Sequence, residues 1–437
     1  MVDTGDSALH ARHKAVMPSW LNQYYELPLE LISASGRRVV GSDGRTYLDF
    51  FGGLLATMVG HNIPELVDAV KTQVDRIWHS STLYLISSQI ELAEKIARRA
   101  PVDDPRVFFV NSGSEAVETA LLLATNARKN NEVLALRGSY HGRSFATVAA
   151  TGIRAWSATS LSPLQVTYVH NGYKYRSPFR GLSDEGFVSA CRDELRTIIE
   201  TSTSGNVACF IAEPIQGAGG FAYPPENFFR EMKTVLDEYG IPFISDEVQS
   251  GWGRTGSAYF GIENFGVRPQ AITFAKGLAN GMSIGGVVAE AGLMNALPAN
   301  SISTAGGNPL AMSAANAVLD YIDSQELQKN AARQGERLQI GLRAIADRYR
   351  AVGEVRGMGL MLGVELIDPE DMSPAPALAN SVLEAARKNN LLIGKGGLYG
   401  NVLRVTPPMT VTEEEVDEAL NLLEASFSEA CSASSFE

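Results

Sequence analysis

The residues with the clearest chemical potential lie between Ile244 and Gly285, where two apolar runs each end in an ionisable side chain. Asp246 follows the run IPFIS, and Lys276 follows the run AITFA. Such runs predict buried strands, and folds with a parallel sheet bind ligands at the carboxyl ends of their strands. We therefore expect a carboxylate and an amine to project into one site. A lysine in a partly dry site has a lowered pKa and can act as a nucleophile.

These two side chains are compatible with two different roles. Pyridoxal phosphate (PLP) needs a lysine that forms its Schiff base and an acid that keeps its pyridine nitrogen protonated. A lysine and an aspartate can also form a buried ion pair with no ligand at all. The pair alone does not decide between a cofactor site and a structural ion pair.

The composition excludes several classes of protein. A chain of 437 residues exceeds a single core, and 45% hydrophobic with 20% charged residues is ordinary for a globular protein. The formal net charge of -12 predicts neither a nucleic-acid partner nor a membrane-surface partner. We find no apolar run approaching the roughly 18 residues of a membrane span, and no signal-peptide pattern. Six scattered histidines predict no metal site. The odd number of cysteines, three, favours a reducing, cytoplasmic compartment.

Strands alternating with helices from Arg106 onward predict an α/β fold with a mainly parallel sheet. The segment VFFVNSGSEAVETALLLATNAR predicts a strand, a small-residue turn and a helix. Ser112, Gly113 and Ser114 lie at the start of that helix, where backbone N–H groups and hydroxyls can bind an anion. A simple N-cap made by either serine is the alternative.

Other strand ends and loops offer further polar and aromatic side chains. The strand VACFIA ends at Glu213, and the strand EVLAL is followed by a loop with Tyr140 and His141. A tyrosine just past a strand end is suited to stacking on an aromatic ring. Trp78 and Tyr84 lie in the loop WHSSTLYLISS, where they either pack or wall a small-molecule pocket.

With these residues in view, the chain resembles class III aminotransferases, which are PLP enzymes of fold type I, over nearly its full length. The matching motifs are YLDFFGG, NSGSEAVETAL, YHGR, AEPIQG, SDEVQSGWGRTG, TFAKGLANG, TAGGNPLA, RGMGLMLGVEL and LRVTPP. Within the class, the WHSSTLY and LLIGKGGLYGNVLRVTPP segments are most similar to the second type of alanine–glyoxylate aminotransferase.

The resemblance implies a seven-stranded, mainly parallel central sheet with helices on both faces, together with a smaller α+β domain. It implies a large PLP-binding domain at residues 60–310. The smaller domain would combine an N-terminal segment, residues 1–59, with residues 311–437. It also implies a homodimer whose subunits share their active sites.

Residue roles follow from the same resemblance. Lys276 and Asp246 are implied as catalytic residues, the first attached to the cofactor and the second paired with its ring nitrogen. The other cofactor-binding residues it implies are Ser112, Gly113, Ser114, Tyr140, His141, Glu213, Val248, Gln249 and Thr304, the last from the second subunit. Substrate-binding residues are expected to be Arg404, Trp78, Tyr84 and Leu54. The alternatives are that Thr304 caps its own helix before Pro309 and that Arg404 is a surface or domain-contact residue.

The implied reaction moves an amino group from an amino acid or amine to a 2-oxo acid such as pyruvate or glyoxylate by a ping-pong mechanism. Two departures from the family pattern concern the substrate. Ala218 stands where relatives that act on ω-amino groups carry a glutamate, and Ala305 replaces the aromatic residue of the usual TFGGNP motif. An epimerase or a decarboxylase on the same fold is the alternative, although Leu54 stands where a decarboxylase would carry glutamine. The intact set of Lys276, Asp246 and Gln249 argues against a non-enzymatic scaffold.

Overall fold

A computed structural model describes residues 5–157 and 162–432 of the chain. The predicted N-terminal segment, residues 1–59, and the predicted C-terminal part of the smaller domain, residues 311–437, also contain residues 1–4 and 433–437, which lie outside the described ranges. The helices of the described residues are α1 Gly5–Val16, α2 Gly52–Leu55, α3 Pro64–Val74, α4 Ser87–Arg99, α5 Gly113–Arg128, α6 Phe145–Ala150, α7 Asp184–Ser202, α8 Phe228–Glu238, α9 Ala291–Met294, α10 Pro309–Ser324, α11 Leu327–Ala346, α12 Pro376–Lys388 and α13 Glu413–Ser432. Short 3₁₀ helices lie at Arg154–Trp156, Gly261–Phe265 and Lys276–Ala279.

The strands form one large and two small sheets. They are β1 Leu31–Ser35, β2 Arg38–Gly41, β3 Thr46–Asp49, β4 Pro105–Val110, β5 Glu132–Leu136, β6 Gln165–Val169, β7 Cys209–Ala212, β8 Phe243–Asp246, β9 Ala271–Ala275, β10 Gly285–Glu290, β11 Val352–Met358, β12 Met361–Leu366, β13 Leu391–Leu392, β14 Gly394–Gly396 and β15 Val402–Val405.

The central sheet has seven strands in the order β4-β10-β9-β8-β7-β5-β6. The pairs from β9 to β6 are parallel, whereas β10 is antiparallel to both of its neighbours. Only residues 276–284 separate β9 from β10. This is too short for a crossover, which needs about a dozen residues, so the chain turns back and β10 runs antiparallel. The predicted α/β fold with a mainly parallel seven-stranded sheet is confirmed.

Helices cover both faces of this sheet. Side chains alternate along each strand, so successive residues contact opposite layers of helices. Val133 and Ala135 of β5 pack into a core with α5, whereas Leu134 and Leu136 face a larger core that contains residues of α4, α7, α8 and α10. All five strand residues from Glu132 to Leu136 are buried. The strand is therefore a continuous run of buried residues rather than an alternation of buried and exposed ones, as expected for a sheet covered on both sides.

The two small sheets bring the beginning and the end of the chain together. β2 and β3 form a hairpin that turns at Asp43 and Gly44, and β13 adds to β3 in parallel. The second small sheet has the order β11-β12-β15-β14. The last helix, α13, begins with a capping box: Glu415 N–H donates to Thr412 Oγ1 (3.3 Å), and Thr412 N–H donates to Glu415 Oε2 (3.1 Å). The domain boundaries after residues 59 and 310 stay a prediction.

Within the described ranges, none of the helices is long and apolar enough to cross a membrane. The same part of the chain contains no cluster of three or more histidine, cysteine, aspartate or glutamate side chains that could hold a metal ion.

Candidate functional site

The carboxyl ends of the central strands open onto a cavity of about 300 Å³. Parallel strands end at the same edge of a sheet, so residues far apart in sequence meet there. The lining residues are Ala56, Asn111, Ser112, Gly113, Ser114, Tyr140, His141, Gly142, Glu213, Asp246, Val248, Gln249, Ala275, Lys276, Gly281, Met282, Ser283 and Ile284. The structure thus brings together every residue that the sequence analysis assigned to the cofactor, except Thr304.

Asp246 is held in place by three hydrogen bonds. His141 Nδ1 lies 2.7 Å from Asp246 Oδ2, and the carboxylate can only accept, so that nitrogen carries the proton. Asp246 Oδ1 accepts from Thr273 Oγ1 at 3.1 Å and from the Val248 N–H at 3.2 Å. The carboxylate pairs with His141 rather than with Lys276. A direct Lys276–Asp246 ion pair, the alternative raised by the sequence, is not formed among the described residues.

Lys276 begins the short helix that follows β9, and its backbone adopts a positive φ of 45°. It keeps some surface open to the cavity but is otherwise enclosed by protein. Burial lowers the pKa of the amine from 10.5 to about 8. Asp246 and Glu213 oppose this shift, and the positive charge of Arg404 adds to it. A substantial fraction of the amine is therefore neutral at mildly alkaline pH and available as a nucleophile.

Glu213 lies beside Lys276 at the end of β7 and is buried. Burial raises the pKa of its carboxyl to about 7, while the neighbouring His141 opposes that shift. Its two oxygens accept from the N–H groups of Tyr140 (2.8 Å) and Gly217 (2.9 Å). Glu213 therefore fixes the loop that carries the aromatic ring of Tyr140.

The start of α5 forms a cradle of small residues. Ser112 is its N-cap, since its Oγ accepts from the Glu115 N–H at 3.2 Å, as one sequence alternative proposed. Ser112 also lines the cavity, so the cap and the anion-binding role are not exclusive. Ser114 Oγ accepts from the Arg143 N–H at 3.1 Å. Gly142 has φ 133°, and a Cβ there would lie 2.6 Å from Ser114 Oγ, so only glycine allows this approach.

Arg404 lies in β15 with only 4% of its surface exposed, so it is not a surface residue. Its Nη1 donates to Gly217 O at 3.4 Å, whereas Nε and Nη2 have no hydrogen-bond partner among the described residues. Phe51 and Phe221 flank the guanidinium, with ring centroids at 5.9 and 5.1 Å. Burial lowers the pKa of this side chain, and Tyr24 and Glu213 partly oppose that effect.

A family model for class III aminotransferases matches residues 22–427, which is most of the chain. The chain belongs to the class III aminotransferases. The alanine/serine racemase of Pyrococcus horikoshii is 36% identical over 392 residues, covering 87% of this chain and 82% of the relative. The mitochondrial alanine–glyoxylate aminotransferase 2 homolog 2 of Arabidopsis thaliana is 35% identical over 430 residues, covering 97% and 88%. The family prediction is confirmed, and the second type of alanine–glyoxylate aminotransferase is among its relatives.

A solved structure supports the fold of this aminotransferase. The PLP-bound amine transaminase of an uncultivated Pseudomonas species matches with a TM-score of 0.87 and 29% identity, covering 94% of this chain and 97% of that chain. Class III aminotransferases use PLP, and this aminotransferase is therefore a PLP enzyme that transfers amino groups.

The cavity fits that cofactor. A lysine that can be neutral lies beside a carboxylate anchored by His141, and a glycine- and serine-rich helix start can receive a phosphate. Val248 and Tyr140, the predicted walls on either side of the ring, both line the cavity. Gln249 packs closely against Gly217, where an added Cβ would lie 2.1 Å from Gln249 Nε2. The individual roles of these residues stay predictions from the resemblance.

Five predicted site residues lie outside the cavity lining, and one of them is the buried Arg404 described above. Trp78, Tyr84 and Leu54 are 62%, 72% and 48% exposed, and Trp78 Nε1 donates to Val74 O at 3.0 Å. Thr304 is also exposed. It does not cap α10, because the N-cap is Asn308, whose side chain accepts from the Ala311 N–H at 3.0 Å. The alternative that Thr304 caps its own helix is wrong.

The sequence analysis missed several lining residues of the aminotransferase. Asn111 directly precedes the predicted cradle, and its Nδ2 donates to Glu115 Oε2 (2.9 Å) and Ser303 Oγ (3.2 Å). Its place between a strand end and a helix start was a usable signal. The Gly142 contact and the approach of residues 281–284 depend on tertiary packing, which no local pattern records.

Proposed function

We propose that this aminotransferase takes its amino group from an α-amino acid or a short β-amino acid and passes it to pyruvate or glyoxylate. The observation that supports this proposal is Arg404, a buried guanidinium whose Nε and Nη2 have no hydrogen-bond partner within the described part of the chain. An arginine binds a carboxylate through two parallel hydrogen bonds. The charge of Arg404 influences Lys276, so both lie in the same electrostatic environment. A substrate carboxylate bound by Arg404 would hold its amine near Lys276.

The chemistry divides between cofactor and protein. When bound, PLP withdraws electrons from the reacting carbon of the substrate. Lys276 Nζ removes and returns the proton at that carbon, and a pKa near 8 lets the amine act as base and its ammonium form as acid close to neutral pH. Asp246, held by His141, favours a protonated ring nitrogen, since an adjacent carboxylate raises such a pKa by roughly 1–3 units.

Ala218 supports a short substrate. It lies next to Gly217, the residue whose carbonyl contacts Arg404, and its methyl side chain offers no carboxylate to the guanidinium. Arg404 is therefore not neutralised by a partner at this position. A substrate without a carboxylate would leave the buried donors unsatisfied, which costs about 1–3 kcal/mol.

The test is to compare Arg404→Ala with the wild type on L-alanine or β-alanine and on a neutral amine such as 1-phenylethylamine, each with pyruvate as acceptor. We expect KM for the acids to rise at least tenfold, while KM for the neutral amine changes by less than threefold. Arg404→Lys is the matched control, because it keeps the charge but loses the paired geometry, and it should give an intermediate KM. Equal losses on acids and amine would refute the proposal. Parallel lines in double-reciprocal initial-rate plots would identify the ping-pong order.

Racemisation is a second candidate activity, because the relative from Pyrococcus horikoshii carries the name alanine/serine racemase. A racemase must return the proton to either face of the substrate carbon and needs no acceptor. Incubating the holoenzyme with L-alanine alone and then with pyruvate or glyoxylate separates the two activities. Amino transfer that requires the acceptor supports our proposal, whereas catalytic formation of D-alanine without an acceptor supports racemisation. Chiral chromatography measures both.

We also propose a homodimer in which Thr304 of one subunit completes the phosphate site of the other. Several large apolar side chains within residues 78–85 are exposed in the single chain, namely Trp78, Leu83, Tyr84 and Leu85, the last at 93%. Ser303 bonds to Asn111, a lining residue, so the loop that carries Thr304 borders the site. Burying this apolar surface against a second copy would stabilise a dimer.

A subunit-mixing experiment tests this arrangement. One subunit carries Lys276→Ala and the other carries a bulky replacement, Thr304→Trp, which should inactivate its own homodimer. If Thr304 serves the neighbouring site, a heterodimer holds one doubly damaged and one intact site, so activity returns on mixing. If Thr304 serves its own subunit, each site keeps one lesion, and verified heterodimers stay inactive.

The cellular location is proposed on composition alone. The odd number of cysteines favours a reducing, cytoplasmic compartment. Cys191 and Cys209 are buried, and burial raises the pKa of both thiols to about 12, so neither is a reactive thiolate. Fractionation of source cells with an antibody to the protein checks this location, and recovery in a membrane or secreted fraction would contradict it.

A further inference from the structure

Glu247 lies directly after Asp246, but it faces away from the cofactor cavity and is completely buried. Its carboxylate meets four donors. Oε1 accepts from the Ile262 N–H (2.7 Å) and Ser245 Oγ (3.3 Å), and Oε2 accepts from Ser250 Oγ (2.5 Å) and the Gly261 N–H (2.8 Å). A carboxylate accepts at four lone-pair positions, so this set uses its capacity.

The backbone of Glu247 also joins the two strands that carry the reactive side chains. Its N–H donates to Thr273 O at 2.9 Å, which ties the end of β8 to β9 three residues before Lys276. Its carbonyl accepts from the Gly251 N–H at 3.1 Å, which closes the turn formed by residues 246–250. That turn contains Asp246, Val248 and Gln249, all of which line the cofactor cavity.

The close approach of the opposite loop depends on Gly261. A Cβ at this position would lie 3.0 Å from Glu247 Oε2 and 2.8 Å from Ser250 Cβ. Glycine therefore allows the backbone N–H groups of residues 261 and 262 to reach the carboxylate. In the same loop, Glu263 Oε2 accepts the Phe260 N–H at 2.7 Å, and among the described residues its side chain makes no hydrogen bond to the 246–250 turn.

We infer that Glu247 is a positioning residue for the cofactor ring, because it anchors the 246–250 turn to residues 261 and 262 and so fixes the Asp246 carboxylate and the Val248 side chain. The inference relies on PLP being the cofactor and not on the proposed substrate. Asp246 Oδ1 accepts the Val248 N–H at 3.2 Å within that turn, so displacement of the turn changes the hydrogen bonding of Asp246 itself.

A glutamine cannot replace this carboxylate. Its amide carries one acceptor oxygen and an NH₂ group, and either orientation places the NH₂ against a backbone N–H of Gly261 or Ile262. A serine hydroxyl can rotate to accept a hydrogen bond, but a backbone N–H cannot. The turn must then shift away from the 261–262 loop. Burial raises the pKa of the Glu247 carboxyl to about 7, and the hydrogen bonds from Ser250, Ile262 and Gly261 oppose that rise.

The test measures cofactor affinity in Glu247→Gln. PLP is titrated into the cofactor-free protein, and Kd is read from the visible absorbance of the bound cofactor and from quenching of tryptophan fluorescence. One buried donor left unpaired corresponds to a fivefold to roughly hundredfold weaker Kd. We also expect the pH midpoint of the bound-cofactor absorbance to move, because the position of Asp246 controls protonation of the ring nitrogen.

Two further variants make the result decisive. Glu263→Gln is the matched control, since it alters a glutamate of the same loop without touching the turn, and its Kd and absorbance should equal those of the wild type. Ser250→Ala removes one donor to Glu247 and should raise Kd about threefold or more. If Glu247→Gln does not fold, the Kd of Ser250→Ala is the measurement that tests the inference.

A purely structural role would give a different pattern. Glu247→Gln would then melt at a lower temperature, but well below its Tm its Kd and absorbance pH midpoint would match the wild type. That result, or an unchanged Kd in Ser250→Ala when Glu247→Gln does not fold, overturns the inference. A Kd shift of the same size in Glu263→Gln would also overturn it.

Discussion

Replacing Lys276 by methionine should stabilise the cofactor-free protein, with an effect that depends on pH. The amine lies in an enclosed site where burial lowers its pKa from 10.5 to about 8. In the unfolded chain its pKa returns to the ordinary value. Below pH 8 the folded protein therefore holds a charged amine that the site disfavours, and methionine removes that charge while keeping an unbranched side chain of similar length.

The size of the effect follows from the difference between the two pKa values. At 1.36 kcal/mol per pH unit, a change from 10.5 to about 8 corresponds to roughly 3 kcal/mol. Since Lys276 keeps some surface open to the cavity, water screens part of this cost, and we expect about 2 kcal/mol. An unfolding entropy of about 0.9 kcal/mol/K for 437 residues converts this to a rise in Tm of roughly 2 °C at pH 7.

The sign of the pH dependence is fixed by the direction of the shift. Between pH 8 and 10.5 the unfolded chain binds a proton at Lys276 that the folded protein does not bind, so the stability of the wild type rises with pH. The advantage of Lys276→Met should be complete below pH 8 and should shrink to nothing by about pH 10.5. Glu213 and Glu247, with pKa values of about 7, are already ionised in this window.

Differential scanning calorimetry of the two cofactor-free proteins at pH 7, 8, 9 and 10 measures this difference. Lys71→Met is the control, because Lys71 is exposed on α3 and its replacement should leave a difference in Tm that does not vary with pH. The reasoning is refuted if Lys276→Met is no more stable than the wild type at pH 7. It is equally refuted if the difference in Tm stays constant from pH 8 to 10.

Two further substitutions address catalysis. Lys276→Ala should abolish transamination while the fold and part of the PLP affinity survive, because the α5 cradle and Asp246 remain. Steady-state assays with added PLP measure this loss, and turnover at the wild-type rate would contradict the prediction. His141→Ala should lower kcat at least tenfold, because it removes the 2.7 Å hydrogen bond that orients Asp246. An unchanged kcat in stopped-flow single-turnover measurements would show that Thr273 and the Val248 N–H suffice.

The sequence was sufficient to predict that three ionisable side chains line one cavity, for a simple geometric reason. Asp246, Lys276 and Glu213 each follow an apolar run, and the ends of adjacent parallel strands must meet at one edge of the sheet. The N-cap of α5 was readable from serine and glycine after a strand. Strand order was not readable, because it depends on long-range pairing, whereas the short connection of residues 276–284 was a usable signal for the antiparallel direction of β10.

Other features of the site depend on contacts that only the folded chain creates. Gly142 is needed because Ser114 comes within 2.6 Å of where its Cβ would be, and nothing in the local sequence records that approach. Glu247 follows Asp246 in the same motif, yet its four donors come from residues 245, 250, 261 and 262. The exposed positions of Trp78, Tyr84 and Thr304 leave their predicted roles to the proposed second subunit.

The buried polar groups in and near the site are unequally paired, and this bears on the proposed substrate. Asp246 and Glu213 have hydrogen-bond partners for their oxygens, whereas two buried nitrogens of Arg404 have none among the described residues. Buried donors without partners are costly, and a bound carboxylate would offset that cost. A carboxylate supplies two acceptors and a negative charge at once, and a neutral analogue supplies neither. Under the proposed function, selectivity for acids would arise because these buried donors remain unsatisfied with every other substrate.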